Sequence, residues 1–136
     1  MYLRHLKRLG LLPFYFSLLP EHKQLLLSYG FADPVYTQTL RRPCQFLWVT
    51  AANALPHGHW DFCEFILHFA WQLAEKQGLQ ADLAHIHANL AQLYSDQVLT
   101  KQKAVEKCLF HCQQVLKTGY FTRWAQQLLE EMSQLY

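Results

Sequence analysis

Residues 84–97, AHIHANLAQLYSDQ, decide how the rest of the chain is read. Ile86, His87, Leu90, Leu93 and Tyr94 recur at intervals that stack them on one face of an α-helix, and nothing in the stretch alternates as a half-buried strand does. His85, Asn89, Gln92 and Asp96 fall at i, i+4, i+7 and i+11, so they share the other side. The segment therefore reads as an amphipathic helix over 81–97. Its polar side is either a solvated face or a surface built to meet something.

The same period organises the chain on both sides. Downstream, TKQKAVEKCLFHCQQVLKTG (100–119) is a helix stopped by Gly119, and YFTRWAQQLLEEMSQLY (120–136) carries one stripe of Trp124, Leu128, Met132 and Leu135. Upstream, HWDFCEFILHFAWQLAEKQG (59–78) ends at Gly78, and CQFLWVTAANAL (44–55) is closed by Pro56 and Gly58. Before that, a short helix over 2–10 stops near Gly10 and an apolar stretch follows to Leu19. Pro20 then opens PEHKQLLLSYG, with Gly30 set as its stop. Asp33-Pro34 and Arg42-Pro43 make 31–43 a connector with room for one helical turn between the prolines. The predicted fold is all-α, a single domain of antiparallel helix hairpins. Segment 1–43 is an N-terminal helical extension, 44–78 the first helix pair, 81–119 the second, and 120–136 a capping helix; an irregular α-helical bundle is the alternative.

Composition narrows the function. Twelve Lys and Arg against ten Asp and Glu leave too small a net charge for the basic field a phosphate backbone demands, so nucleic acid is not an expected partner. Arg4, Lys7 and Arg8 cluster on one short helix and read as a solvated face. No segment reaches the length of uninterrupted apolar residues that a membrane span needs. The N-terminal MYLRHLKRLGLLPFYFSLLP has the basic-then-apolar outline of a secretory leader, but Pro13 interrupts it and no small-x-small site follows, so it reads as part of the fold. Four cysteines are too few for a disulfide framework in 136 residues, which predicts a reduced, cytoplasmic protein. Nine Phe, seven Tyr and four Trp are abundant for this length, so either the core is aromatic-rich or part of that surface is buried against another chain.

Residues 84–117 resemble one tetratricopeptide repeat. Ala84, Asn89, Leu90, Ala91 and Tyr94 stand where that family has its opening small residue, groove asparagine, leucine, second small residue and tyrosine, and Ala104 and Cys108 take the packing positions of the second helix. Ala51, Cys63, Leu67 and Ala70 echo the spacing in the preceding pair. The chain departs from the pattern in one extra residue between Tyr94 and Ala104 and in His111, where the family usually has alanine. The resemblance implies a groove lined by first-helix side chains, in which Asn89 bonds an extended peptide backbone, His85 and Gln92 flank it, and Gln45, Trp48, Val49 and Ala52 continue the floor. The lysines that clamp a C-terminal carboxylate in that family are missing: Gln45 and His85 stand there instead.

Eight His and four Cys raise the question of metal. Cys108, His111 and Cys112 at i, i+3 and i+4 share a helix face, and His59 and Cys63 form an i, i+4 pair, so Cys63, Cys108, His111 and Cys112 are the candidate zinc ligands. No C-x-x-C knuckle supports them, and buried cysteine packs as a small hydrophobe. No base is signalled beside any thiol, His57 and His59 sit in an exposed turn, and none of the common phosphate-loop, dinucleotide or hydrolase motifs occurs. The expectation is a non-catalytic protein- or peptide-binding module without a cofactor. A homodimer closed through Trp48, Trp60, Trp71, Trp124 and Phe-rich surfaces is the alternative, with a small zinc protein behind it.

Overall fold

The computed structural model describes residues 2–98 and 103–134, and among them every regular element is helical. In chain order these are α1 (Tyr2–Arg8), α2 (Leu12–Ser17), α3 (Pro20–Gly30), α4 (Pro34–Thr37), α5 (Pro43–Ala54) with a 3-10 turn at Leu55–His57, α6 (Trp60–Gln77), α7 (Gln80–Asp96), α8 (Ala104–Thr118) and α9 (Thr122–Ser133). All five prolines lie in the first turn of a helical element, where a missing N–H breaks no hydrogen bond and a fixed φ favours entry. That rule explains α2, where the sequence pattern shows only an apolar stretch: Pro13 starts this helix, and Ser17 ends it by donating from Oγ to the Phe14 carbonyl at 2.6 Å. The turn between Pro34 and Pro43 is α4, capped by Asp33, whose Oδ1 accepts from the Tyr36 N–H.

The chain forms two compact units, 1–66 and 67–136, and α6 runs from the first into the second. In the first unit Leu6, Leu26, Phe46, Leu47 and Phe62 are fully buried. Each such side chain contributes roughly 1.5–3 kcal/mol. Helices α3 and α5 pack through Gly30, which lies against Phe46 and Thr50, and through Asn53, whose Nδ2 donates to the Tyr29 carbonyl at 3.1 Å. Gly30 thus does something other than stop a helix by a left-handed turn. Its φ is negative, and a Cβ there would lie 2.5 Å from the Phe46 ring. Because Phe46 is itself fully enclosed, Gly30→Ala is expected to lower the stability of this unit by roughly 1–3 kcal/mol, the usual cost of overpacking a filled core. Thermal melting of the variant checks this, and an unchanged midpoint would refute it.

The second unit is built on α7 and α8. They run antiparallel, since His87 meets His111 while Tyr94, further along α7, takes Lys107 from earlier in α8. Ala91 and Ala104 are buried beside Leu90, Leu93 and Cys108, small residues letting the two backbones approach while larger ones fill the flanks. Gly119 ends α8 in the left-handed conformation that glycine adopts without strain. Helix α9 buries Ala125, Leu128 and Met132, with Trp124 half-buried; Leu135, the last member of the expected stripe, lies outside the described residues.

Candidate functional site

The polar side of α7 is where the periodicity puts it. His85, Asn89 and Gln92 are half-buried and Asp96 exposed, while Ile86, His87, Leu90, Leu93 and Tyr94 are enclosed. Asn89 donates from Nδ2 to the His85 carbonyl one turn back at 2.8 Å, and Gln92 donates from Nε2 to Asp96 Oδ1 at 2.9 Å. The Asn89 bond uses one of its two amide hydrogens and leaves the second, with the amide oxygen, for another partner. Against His85 stands Phe121, the two rings nearly perpendicular with centroids 4.8 Å apart. Phe121 is exposed and its φ is positive. Side chains other than glycine, asparagine and aspartate rarely take that left-handed backbone. The stripe expected on α5 lies in the first unit: Gln45, Trp48 and Ala52 are half-buried, but Val49 is buried against its neighbours and is no part of an open floor.

The interior of the second unit holds a feature that no single helix signals. His87 and His111 are 3% and 4% exposed, and their Nδ1 atoms lie 2.8 Å apart. One imidazole must donate through its Nδ1–H to the bare Nδ1 of the other, and with burial keeping both neutral the two rings differ in where their proton sits. The indole of Trp71 closes the pair edge-on, 4.7 Å from His87 and 5.3 Å from His111, and Tyr94 stacks on His111 at 5.6 Å. Burial pushes the pKa of His87 down to about 4, with Glu75 partly opposing and His68 adding. Burial also takes His111 down to about 3, assisted by the charges of His87, His68 and Lys107. Trp71 also lines, with His68, Gln72, Glu75 and Lys76, an open groove of about 730 Å³.

The candidate zinc ligands do other things. Cys63, in the first unit, donates from Sγ to the Ala51 carbonyl at 3.5 Å, Cys108 and Cys112 share a hydrogen bond as free thiols, and His111 is taken by His87. Among the described residues no three His, Cys, Asp or Glu side chains gather as a metal site. Burial holds the Cys63 thiol up at about 12, and the bond to Cys112 together with burial raises Cys108 well above the ordinary thiol range. The same bond pulls Cys112 the other way, yet its sulfur is as fully enclosed as the rest. Since modification needs an accessible thiolate, Ellman's reagent is expected to leave all four cysteines unmodified in the folded protein and to titrate all four in guanidinium. Rapid reaction of even one in the folded state would contradict this burial. His57 and His59, read as an exposed turn, both pack against the Tyr29 ring, at 5.3 and 5.5 Å.

Comparison with protein-family models, with characterised proteins and with solved structures finds no match to this chain. What the molecule itself provides is an all-α chain in which, among the described residues, no helix is long and apolar enough to cross a membrane.

Proposed function

We propose that this chain is a non-catalytic protein- or peptide-interaction module, and that one contact surface is the polar stripe of α7 with Phe121 at its edge. The observation that carries the reading is the backbone of Phe121, an exposed aromatic residue held at positive φ next to His85. Such a residue gives up stability, on the order of 1 kcal/mol, that glycine or asparagine would recover, and strain of this kind collects where it serves binding. In this reading the α7–α8 hairpin is one tetratricopeptide-like unit. A partner's extended backbone meets the unused amide hydrogen and oxygen of Asn89, while its apolar side chains meet Phe121 and the exposed Tyr120. The Gln45, Trp48 and Ala52 stripe on α5 is a second, separate contact surface. Enclosed thiols and a neutral histidine pair support a role without covalent or acid–base chemistry, and buried free thiols fit a reducing, cytoplasmic setting.

Selection of displayed peptides against the whole chain tests this. Peptides that win are expected to lose at least about tenfold in affinity for Asn89→Ala, the loss of one or two buried hydrogen bonds. They are expected to lose a similar amount for Phe121→Gly, which should melt at the same temperature or higher because the strain is gone. Winners that bind both variants unchanged would refute the α7 surface. A second reading, self-association, is favoured by Phe16, Leu19 and Phe65 in the first unit, three large apolar side chains that are each at least half exposed. Sedimentation equilibrium across a wide concentration range separates the two, since a chain monomeric throughout has no use for those side chains as a dimer seam.

A further inference from the structure

We propose that the outward side of α1, with the α4 turn beside it, is a docking face for an anionic lipid bilayer, which it meets at the headgroups without spanning. Helix α1 turns His5 and Leu6 inward and leaves Leu3, Arg4, Lys7 and Arg8 exposed. Leu3 with Lys7, and Arg4 with Arg8, stand one helical turn apart, so the exposed four share one side. The α4 turn lies alongside. Tyr2 stacks on Phe31 at 4.3 Å, and Arg4 and Arg8 share the walls of one shallow depression with Pro34 and Gln38. From α4 come Val35 and Tyr36, 79% and 45% exposed, two large apolar side chains left in water next to those cations. Arg41, just after α4, donates to the Gln38 carbonyl and is near enough to His5 to lower its proton affinity, so a further cation borders the same corner. Asp33 is the acid nearest in sequence, and its Oδ1 is already engaged by the Tyr36 N–H.

Charge and apolar exposure together select the occupant. Segment 1–43 holds six Lys and Arg against two Asp and Glu, while 44–136 holds six against eight, so the chain's positive excess lies wholly at this end. A nucleic acid rewards cations and free aromatic faces; Leu3 and Val35 offer a base nothing to stack on, and Tyr2 already stacks on Phe31. An anionic bilayer rewards both halves of the set. Its headgroups attract Arg4, Lys7 and Arg8, and Leu3, Val35 and Tyr36 leave water at the level of the upper acyl chains, a depth that tyrosine favours. With so few apolar side chains involved, the contact is reversible and weakens as salt screens the charges. This face is separate from the α7 stripe and does not depend on peptide binding there.

Co-sedimentation of the full chain with phosphatidylcholine vesicles containing phosphatidylserine, against vesicles of phosphatidylcholine alone, tests the proposal. The expected result is retention on the anionic vesicles at low salt, progressive loss as salt rises, and none on the neutral ones. Arg4→Gln with Lys7→Gln, which leaves the Arg8–His5 bond in place, is expected to weaken retention at least about tenfold. Leu3→Ser with Val35→Ser and Tyr36→Ser, which changes no charge, is expected to weaken it by about the same factor. All five positions are exposed, so both variants should melt with the parent chain. Lys117→Gln with Arg123→Gln removes two exposed charges from the second unit and is expected to change retention less than about twofold. Absence of retention on the anionic vesicles overturns the proposal. Loss in the Lys117 and Arg123 variant equal to that in the Arg4 and Lys7 variant, or full retention in the serine variant, overturns this face in favour of overall charge. Binding to a single-stranded oligonucleotide at a salt concentration that abolishes vesicle retention, itself lost with Arg4 and Lys7, overturns the bilayer in favour of nucleic acid.

Discussion

Lowering the pH from about 7.5 to about 5 is expected to remove roughly 4 kcal/mol from the stability of the α7–α8 hairpin, the largest solution effect the structure encodes. The cause is the pair of enclosed imidazoles. In the folded protein His87 and His111 titrate near 4 and 3, against 6.5 for an unburied histidine. Between these limits the unfolded chain binds protons that the folded one refuses, so stability rises with pH there. It is complete above about pH 7, begins to fall as pH drops through 6.5, and keeps falling until the folded values are reached. Each ring accounts for about 2 kcal/mol by pH 5. Against a typical total of about 5–15 kcal/mol, that brings the second unit close to its unfolding point in mild acid. Denaturant titrations at a series of pH values, read by circular dichroism, measure the slope directly. A flat profile from pH 7 to pH 5 would mean that the imidazoles are wet or already charged.

Removing one partner of that pair is expected to cost more than removing both. His111→Ala leaves the Nδ1 of His87 enclosed without a partner, opens a cavity beside Trp71 and takes away the ring on which Tyr94 stacks. Together these losses are expected to reach roughly 3–4 kcal/mol. Replacing both histidines with leucine deletes donor and acceptor at once and keeps most of the volume, so the double variant is expected to recover most of that loss. It should also lose the acid slope. The single leucine variants His87→Leu and His111→Leu, with the double, form a cycle whose coupling free energy isolates the imidazole–imidazole bond. Strict additivity would show that the 2.8 Å contact carries no energy of its own.

Most of the helical layout was legible because its punctuation is local. Pro20 and Pro43 open helices, Gly58, Gly78 and Gly119 follow helix ends with positive φ, and the Ala91–Ala104 approach is foreshadowed by small residues set at helical intervals. What stayed hidden depends on partners far off in the chain. Gly30 reads as a stop because its reason is a ring on a different helix, and Val49, expected on an open floor, is buried. His87 was legible as inward-facing and His111 as an odd occupant of an alanine position. Their union is fixed by the register of α7 on α8, which no single-helix period encodes. Of the surface read from 84–97, the arrangement along α7 was fully legible; the neighbour at its edge, Phe121, was not, because a left-handed phenylalanine has no periodic signature.

The Nδ1–Nδ1 bond also gives this protein a hidden left and right. Each ring holds a single proton, so the shared hydrogen cannot simply hop across: that would leave an imidazolium facing an imidazolate. Reversing the arrow requires a proton to leave the far nitrogen of one ring and another to arrive at the far nitrogen of its mate. The bond can therefore run in either of two directions, which share the same pair of ring nitrogens and differ in which far nitrogen carries a proton.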